Sequence, residues 1–341
     1  MVRVATLGGT AQDVVVRKTG LGTMMMTWKP NPVSDEDAFG AIKAGIDALP
    51  PGAKMYLNCG QFYAQDASAA NLELVARFFD KHPECADRVF LSVKGGCKPN
   101  TMVFDVSPEG LRKSVDFILE KLRGTKRLDL FQIARVDRSY PLVQQMKVLS
   151  DLVAEGKFDH VGLSEACAAT VREANAVVPI AAVEIEVSLW SWTQETRDVI
   201  ATCKELDIAV IAYAPLGRGI LTGKLSVDDL QEGDFRRRYS RFQDENFKHN
   251  IGNLKALNRI SDRKGVTLAQ MVLAWVNARG QHVIPIPGSS SAEHTRENVV
   301  GGDIFMSANI EAQIEEVFAF ETMQGSRGVH GMSDADQKFW G

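Results

Sequence analysis

The chain has 341 residues, of which 45% are hydrophobic and 24% charged, the proportions of an ordinary globular protein. A net charge of −4 argues against nucleic acid or an anionic membrane as the main partner, and no run of 18 apolar residues could span a bilayer. The first ten residues lack a sustained apolar stretch followed by a small-residue cleavage site, so we expect a cytoplasmic protein.

The cysteines indicate a reduced protein without a metal site. Their number is odd, their spacing is irregular and no CxxC pair occurs, so neither a disulfide framework nor a zinc site is expected. The cysteines are Cys59, Cys85, Cys97, Cys167 and Cys203. A cysteine nucleophile needs a positioned base, and because none can be identified we interpret them as packing residues.

Eight short apolar runs alternate along the chain with longer segments of helical period. The runs are 20–26, 54–60, 88–96, 128–136, 160–165, 181–190, 208–217 and 282–289. Most are rich in Val, Ile and Leu without strict alternation, which is typical of parallel strands covered on both faces.

The segments between these runs have the end signals of helices. One helix is predicted between the cap Ser107 and Gly124, and another between the cap Thr267 and Gly280. Eight consecutive βα units predict an α/β fold of the (β/α)8 TIM-barrel type. An open doubly wound sheet is the alternative, but no GxGxxG follows the first strand.

Three additions to this barrel are predicted within a single domain, 1–341. Residues 1–18 alternate around a Gly-Gly-Thr turn and are expected to form a β-hairpin that closes the bottom of the barrel. The polar, arginine-rich segment 217–250 is expected to be a long loop after the seventh strand that covers a cofactor. The tail 323–341 could cover the pocket or lie disordered.

The active site of such a barrel lies at the carboxyl ends of its strands. Tyr63 follows the second strand, and Lys94 ends the third. A carbonyl that accepts hydride at carbon needs a proton at oxygen, and a nearby ammonium lowers the pKa of a phenol that supplies it. Taken alone, a tyrosine there would more often be a core residue and a lysine a surface charge.

The motifs at the strand ends resemble the aldo-keto reductases, and most of all the fungal pyridoxal reductase branch with its NCGxFY, ARVD and GLSEA motifs. The matching segments are 20–28, 57–64, 89–96, 128–137, 160–165, 183–190, 211–224 and 283–299. The resemblance implies NADPH-dependent reduction of an aldehyde to an alcohol, with pyridoxal to pyridoxine as the leading reaction. A small-molecule aldehyde is then the expected partner, and the oligomeric state stays open.

The family's catalytic set of Asp, Tyr, Lys and His is only half present. The resemblance makes Tyr63 the proton donor and Lys94 its partner, but Asn58 stands at the Asp position and Ala134 at the His position. Since an asparagine cannot pair with a lysine as an ion, we expect the charge of Lys94 to be poorly neutralised and to depress the pKa of Tyr63 strongly.

The resemblance also implies a set of cofactor-binding residues. Tyr213 would stack on the nicotinamide, with Pro215, Leu216 and Lys224 following it, while Ser164, Glu165 and Glu184 would bind the carboxamide. Two ionised carboxylates could accept hydrogen bonds only from the NH2 group of the carboxamide. One of the two glutamates could therefore be misassigned.

The phosphate end of the cofactor is expected after the eighth strand. The segment 290–293 has a capping-box pattern, and exposed amides at a helix N-terminus suit a phosphate. The resemblance places Ser289, Ser290 and His294 beside the 2′-phosphate, with Glu297 and Asn298 facing the adenine.

The substrate pocket is assigned to Trp28, Gln61 and Arg135. Gln61 could contact substrate or only fill space, and Arg135 could pair with Asp137 or face the pocket. A broad-specificity or secondary-metabolite aldehyde reductase or alcohol dehydrogenase is the alternative function, because loops set the substrate of a barrel. A cofactor-sensing binding subunit has less support.

Overall fold

A two-stranded antiparallel hairpin precedes eight parallel strands in this computed structural model. The hairpin strands are β1 Val4–Thr6 and β2 Val15–Arg17. The parallel strands are β3 Leu21–Gly22, β4 Met55–Gly60, β5 Val89–Gly95, β6 Leu130–Ile133, β7 His160–Ser164, β8 Ile180–Glu186, β9 Ala209–Tyr213 and β10 Val283–Pro285. They lie side by side in chain order from β3 to β10, as the apolar runs predicted.

Hydrogen bonds between the first and last parallel strands close this sheet into a barrel. The amide of Gly20 donates to the carbonyl of Pro285 at 2.9 Å, and that of Gly22 donates to Pro287 at 3.2 Å. A Cβ on Gly20 would lie 2.7 Å from the carbonyl oxygen of Tyr56, so glycine permits this close approach. The predicted (β/α)8 barrel is therefore confirmed, and the open sheet is excluded.

Helices follow the strands and cover the outside of the barrel. They are α1 Met24–Thr27, α2 Asp35–Asp47, α3 Ala70–Lys81, α4 Pro108–Leu122, α5 Leu142–Ala154, α6 Ala168–Asn175, α7 Gln194–Glu205, α8 Asp244–Ile251, α9 Leu254–Lys264, α10 Leu268–Ala278, α11 Ala292–Gly301 and α12 Ala308–Val317. Both predicted caps are confirmed: the Ser107 hydroxyl accepts from the amide of Gly110, and Thr267 forms a capping box with Gln270.

Several local predictions were wrong. Five predicted strands extend three or four residues past the observed ends, namely 20–26, 128–136, 181–190, 208–217 and 282–289. The first strand was expected to cover 20–26, but it stops at Gly22 and the chain turns into α1, because the amide of Met26 bonds back to the carbonyl of Thr23. The capping box predicted over 290–293 is not found, and the cap itself lies one residue later. Ser291, not Ser290, is the N-cap of α11, and its hydroxyl accepts from the amide of His294.

The hairpin lies at the amino-terminal end of the barrel, as predicted. Its residues Leu7 and Val16 pack with the side chains that fill the barrel interior, and the amide of Gly8 donates to the carbonyl of Ala181 at 2.9 Å. A Cβ on Gly8 would lie 2.1 Å from the carbonyl oxygen of Asp207. Only glycine therefore allows the hairpin to seat this closely.

The structure describes residues 2–226, 229–230, 232–252, 254–318, 323–333 and 335–341, so the predicted covering loop and tail fall partly outside it. The described part of the loop is not extended, since it forms short 3-10 turns and α8. The described tail packs on the barrel mouth, where Thr170 donates to the carbonyl of Gly341 at 2.6 Å. No helix in these ranges is long and apolar enough to cross a membrane.

Candidate active site

A cavity of about 910 Å³ opens at the carboxyl ends of the strands. Most of the residues predicted for the site line it, and its volume lies in the range of ligand pockets. These residues are Trp28, Asn58, Tyr63, Lys94, Arg135, Ser164, Glu184, Tyr213, Pro215, Leu216, Lys224, His294, Glu297 and Asn298. Four predicted residues are not part of its lining, namely Gln61, Glu165, Ser289 and Ser290.

Lys94 forms a buried ion pair inside this cavity. Its Nζ lies 2.6 Å from Oε1 of Glu184 and donates to Oδ1 of Asn58 at 2.8 Å. The other oxygen of Glu184 accepts from Nδ2 of Asn58 at 2.6 Å and from Nε2 of Gln132 at 2.7 Å. Lys94 and Glu184 are only 5% and 2% exposed, so water screens the pair little.

The expectation that Lys94 is poorly neutralised is therefore wrong. Its counter-ion comes from β8, whereas the family pattern places an acid at position 58 on β4. Asn58 instead supplies one donor and one acceptor and holds both partners of the pair. Burial lowers the pKa of Lys94, and the charge of Glu184 opposes that shift. Glu184 thus has a contact that competes with its predicted role at a carboxamide.

Tyr63 lies over this pair, with Nζ of Lys94 5.2 Å from the centre of its ring. Burial raises the pKa of the Tyr63 phenol well above its usual value near 10, and the charge of Glu184 raises it further. The expected lowering of that pKa is therefore not found. Among the described residues the Tyr63 hydroxyl has no hydrogen-bond partner, although Tyr63 lines the cavity.

Glu165 points to the tail instead of lining the cavity. Its carboxylate is fully buried and accepts from both Nη atoms of Arg327, at 2.5 and 3.2 Å. Burial raises the pKa of Glu165, but the charge and hydrogen bonds of Arg327, together with smaller effects of Arg135 and Tyr213, outweigh it and the net shift is downward. The carboxamide contact predicted for Glu165 therefore has no support from the cavity lining.

Arg327 belongs to the tail that could cover the pocket, but its pairing with Glu165 was not expected from the sequence. Its Nη1 also lies 3.5 Å from the hydroxyl of Tyr213, and its guanidinium stacks over the rings of Phe339 and Trp340. It stands 162 positions from Glu165 along the chain, and no motif links the two. Only the fold of the tail brings them together.

The structure distinguishes Gln61 from Arg135, the two residues whose place in the substrate pocket the sequence left open. The Gln61 amide is buried away from the cavity, where it donates to the carbonyl of Cys97 at 2.9 Å and accepts from Ser114 at 2.6 Å. Its assignment to the substrate pocket is wrong, because both ends of its amide bond the protein. Arg135 lines the cavity, and the acid that could have paired with it, Asp137, bonds Lys338.

Polar and charged side chains line the far end of the cavity, where a phosphate was expected. Lys224 and His294 line it, together with the first residues of α10. Ser289 and Ser290 do not, since the Ser289 hydroxyl is turned to the carbonyl of Ser291 at 2.9 Å. Thr267, the N-cap of α10, donates to Glu297 at 2.6 Å and so fixes an acid beside this end.

The cysteines do not contribute a reactive thiol to the cavity. All five are free, and burial raises the pKa of both Cys59 and Cys97 to about 12. Thiols with such values are protonated and unreactive at neutral pH. Within the described ranges, no cluster of three or more His, Cys, Asp or Glu side chains could hold a metal ion.

Comparison with known proteins agrees with this geometry. A family model described as "Aldo/keto reductase family" matches residues 18–317. The chain belongs to the aldo/keto reductase family. It is thus related to oxidoreductases, and the cavity at the strand ends is the part of the fold where their chemistry is expected.

Several relatives place the chain more closely within the family. It is 41% identical over 286 residues to a Schizosaccharomyces pombe protein named "Probable pyridoxal reductase 2", covering 82% of this chain and 85% of that one. It is 35% identical to "Aldo-keto reductase yakc [NADP(+)]" of the same yeast, in a match that covers 76% of this chain and 77% of that one. The fold resembles that of a glycerol dehydrogenase from Gluconobacter oxydans, with a TM-score of 0.78 and 20% sequence identity. The match covers 97% of this chain and 99% of that one.

Proposed function

We propose that this chain reduces an aldehyde to an alcohol with NADPH, and that pyridoxal, reduced to pyridoxine, is its substrate. The observation that carries this proposal is Tyr63, which lines the cavity beside the Lys94–Glu184 pair and whose hydroxyl has no hydrogen-bond partner in the described part of the chain. A phenol in that position can donate a proton to the oxygen of a bound carbonyl.

The cavity fits a dinucleotide cofactor at both of its ends. Ser164 and Tyr213 line the part near Tyr63, where a flat amide-bearing ring would bind, while Lys224 and His294 supply cationic or polar groups at the far end. Backbone amides in the first turn of α10 add to the attraction for a phosphate. When bound, the nicotinamide supplies the hydride that the carbonyl carbon accepts.

Tyr63 would act as the general acid. Its raised pKa keeps the phenol protonated until negative charge develops on the carbonyl oxygen. The proton then passes to that oxygen, so that one hydride and one proton are added to the C=O group to give the alcohol. Lys94 stabilises the phenolate that is left, because its ammonium lies over the Tyr63 ring. Glu184 keeps Lys94 charged and in place.

The identity of the substrate is supported by the relatives and by the shape of the pocket. The relative that is 41% identical is named as a probable pyridoxal reductase. The cavity near Tyr63 is walled by Trp28, Phe62, Phe104 and Phe339. These rings favour a flat aromatic aldehyde over a flexible aliphatic one.

The proposal is tested by following NADPH absorbance with pyridoxal and a panel of other aldehydes, with NADH run alongside. We expect rapid oxidation of NADPH with pyridoxal and slower oxidation of NADH. Fast turnover of another aldehyde without turnover of pyridoxal would contradict the proposal that pyridoxal is the substrate. The proposal that the protein is an aldehyde reductase would still hold. Tight NADPH binding without turnover of any aldehyde would contradict the enzyme proposal and favour a cofactor-sensing subunit.

A further inference from the structure

Arg135 lines the cavity, and among the described residues no carboxylate lies within ion-pair distance of its guanidinium. Lys94, by contrast, is paired with Glu184, and behind the cavity wall Arg327 is paired with Glu165. The guanidinium of Arg135 is therefore available to an anionic ligand.

Arg135 is held rigidly at this point. Its Nη1 donates to the carbonyl of Ala134 at 2.6 Å, and its Nε donates to the carbonyl of Gln337 at 3.2 Å. The guanidinium lies 5.9 Å from the ring centre of Phe104 and 5.2 Å from that of Phe339. Two carbonyls and two rings thus fix the plane of the guanidinium, while its Nη2 has no acceptor among the residues that the structure describes.

This guanidinium is also close to the groups proposed to react. Ala134, its neighbour in the chain, bonds the carbonyl of Gly95 directly after Lys94 and packs with Tyr63. The ring of Phe104, which lies against the Arg135 guanidinium, has its centre 6.2 Å from that of Phe62. The Phe62 ring centre lies 5.5 Å from that of Tyr63, so Arg135 and Tyr63 line the same aromatic part of the cavity. A substrate whose carbonyl reaches Tyr63 would therefore place its adjacent substituents near Arg135.

We propose that Arg135 binds a negatively charged oxygen of the substrate, so that the site selects aromatic aldehydes with an oxyanion beside the aldehyde group. This inference rests on the proposed function, since it takes the carbonyl to be bound at Tyr63. A guanidinium in a largely apolar cavity gains most from an anionic partner, because charge-assisted hydrogen bonds are the strongest of their kind. An ionised hydroxyl on the ring carbon next to the aldehyde, as in pyridoxal, has the required chemistry.

The first test compares pyridoxal with pyridine-4-carbaldehyde, which has the same aldehyde on a similar ring but no adjacent oxyanion. In Arg135→Met we expect kcat/KM for pyridoxal to fall about 10- to 100-fold, mainly through KM, as loss of a charge-assisted hydrogen bond implies. The value for pyridine-4-carbaldehyde should change by less than about threefold, because that substrate makes no such bond. Arg135→Lys should keep part of the discrimination, since it retains the charge without the fork.

Arg112→Met is the matched control, because it removes an exposed arginine paired with Glu155 outside the cavity. It should leave both substrates unaffected. Equal losses on the two aldehydes in Arg135→Met would overturn the inference, since they would show that Arg135 supports the fold or a step common to both. Unchanged values for both aldehydes would overturn it as well.

A binding measurement separates this inference from the proposed reaction. Titration of the NADP-bound protein with benzoate and with benzyl alcohol compares an anionic and a neutral ring without any turnover. We expect benzoate to bind about tenfold or more tightly than benzyl alcohol in the wild type, and this preference to be lost in Arg135→Met. If no aldehyde is reduced but the preference is present and Arg135-dependent, the reaction fails and the anion site stands. If benzoate has no advantage in the wild type, the anion site fails whatever the activity.

Discussion

Glu184→Gln removes the counter-ion of Lys94 and changes the volume of the side chain little. In the wild type both carboxylate oxygens are occupied, one by Lys94 and the other by Asn58 and Gln132. A glutamine can offer only one acceptor, so its NH2 group must face another donor. The variant therefore leaves Lys94 buried without a counter-ion.

The size of the effect follows from the burial of the pair. Breaking a buried ion pair from one side costs about 3–5 kcal/mol. Burial already lowers the pKa of Lys94, and without the opposing charge of Glu184 that pKa should fall further. Lys94 then gives up its proton more readily, and the phenolate of Tyr63 loses its nearby cation.

The assay is the initial rate of pyridoxal reduction between pH 5 and 9. We expect kcat of Glu184→Gln to be about 100-fold lower at pH 7.5 and to recover partly as the pH falls, because acid restores the proton on Lys94. Glu186→Gln is the matched control: Glu186 lies on the same strand and is also buried in an ion pair, but with Arg218. A Glu184→Gln enzyme with the wild-type rate and pH profile would refute the assigned role of the pair.

Three further substitutions test other contacts. Arg327→Met should lower the free energy of unfolding by about 3 kcal/mol at pH 7, measured in urea titrations. Arg327 keeps the pKa of Glu165 in the folded protein below its value in the unfolded chain. The difference in stability between variant and wild type should therefore shrink as the pH falls below about 4. Gly8→Ala should destabilise or detach the hairpin, whereas the helical control Gly40→Ala, whose Cβ has room, should be neutral or stabilising by up to about 1 kcal/mol in thermal unfolding. Gln61→Glu should lower the free energy of unfolding by about 1–3 kcal/mol and leave KM for pyridoxal unchanged. A rise in KM without a loss of stability would show that Gln61 contacts the substrate.

The barrel could be predicted because its signals are local. Runs of branched apolar residues, such as the one that forms β5, indicate buried parallel strands, and Ser107 and Thr267 are caps whose hydrogen bonds span only three residues. The strand-end rule then placed Tyr63 and Lys94 in one cavity without any distance information. The ends of β3 and the cap of α11 were misplaced by small shifts in turns, where several serines or threonines compete for the same role.

The charge arrangement of the site could not be predicted in the same way. Lys94 and Glu184 are 90 positions apart, and either of two strands could have supplied the acid. Asp137 stands close to Arg135 in the sequence, yet it bonds Lys338 of the tail. Such pairings depend on which side chains the closed barrel and its tail bring together. The spacing of residues along the sequence does not predict these contacts.

The central claim is that a protonated Tyr63 delivers the proton during aldehyde reduction. Single-turnover oxidation of NADPH by pyridoxal, measured for the wild type and for Tyr63→Phe at pH 7, tests it most directly. We predict a rate about 100- to 10,000-fold lower in the variant, with NADPH affinity within about twofold of the wild type. A Tyr63→Phe protein that reduces pyridoxal at close to the wild-type rate would contradict the account.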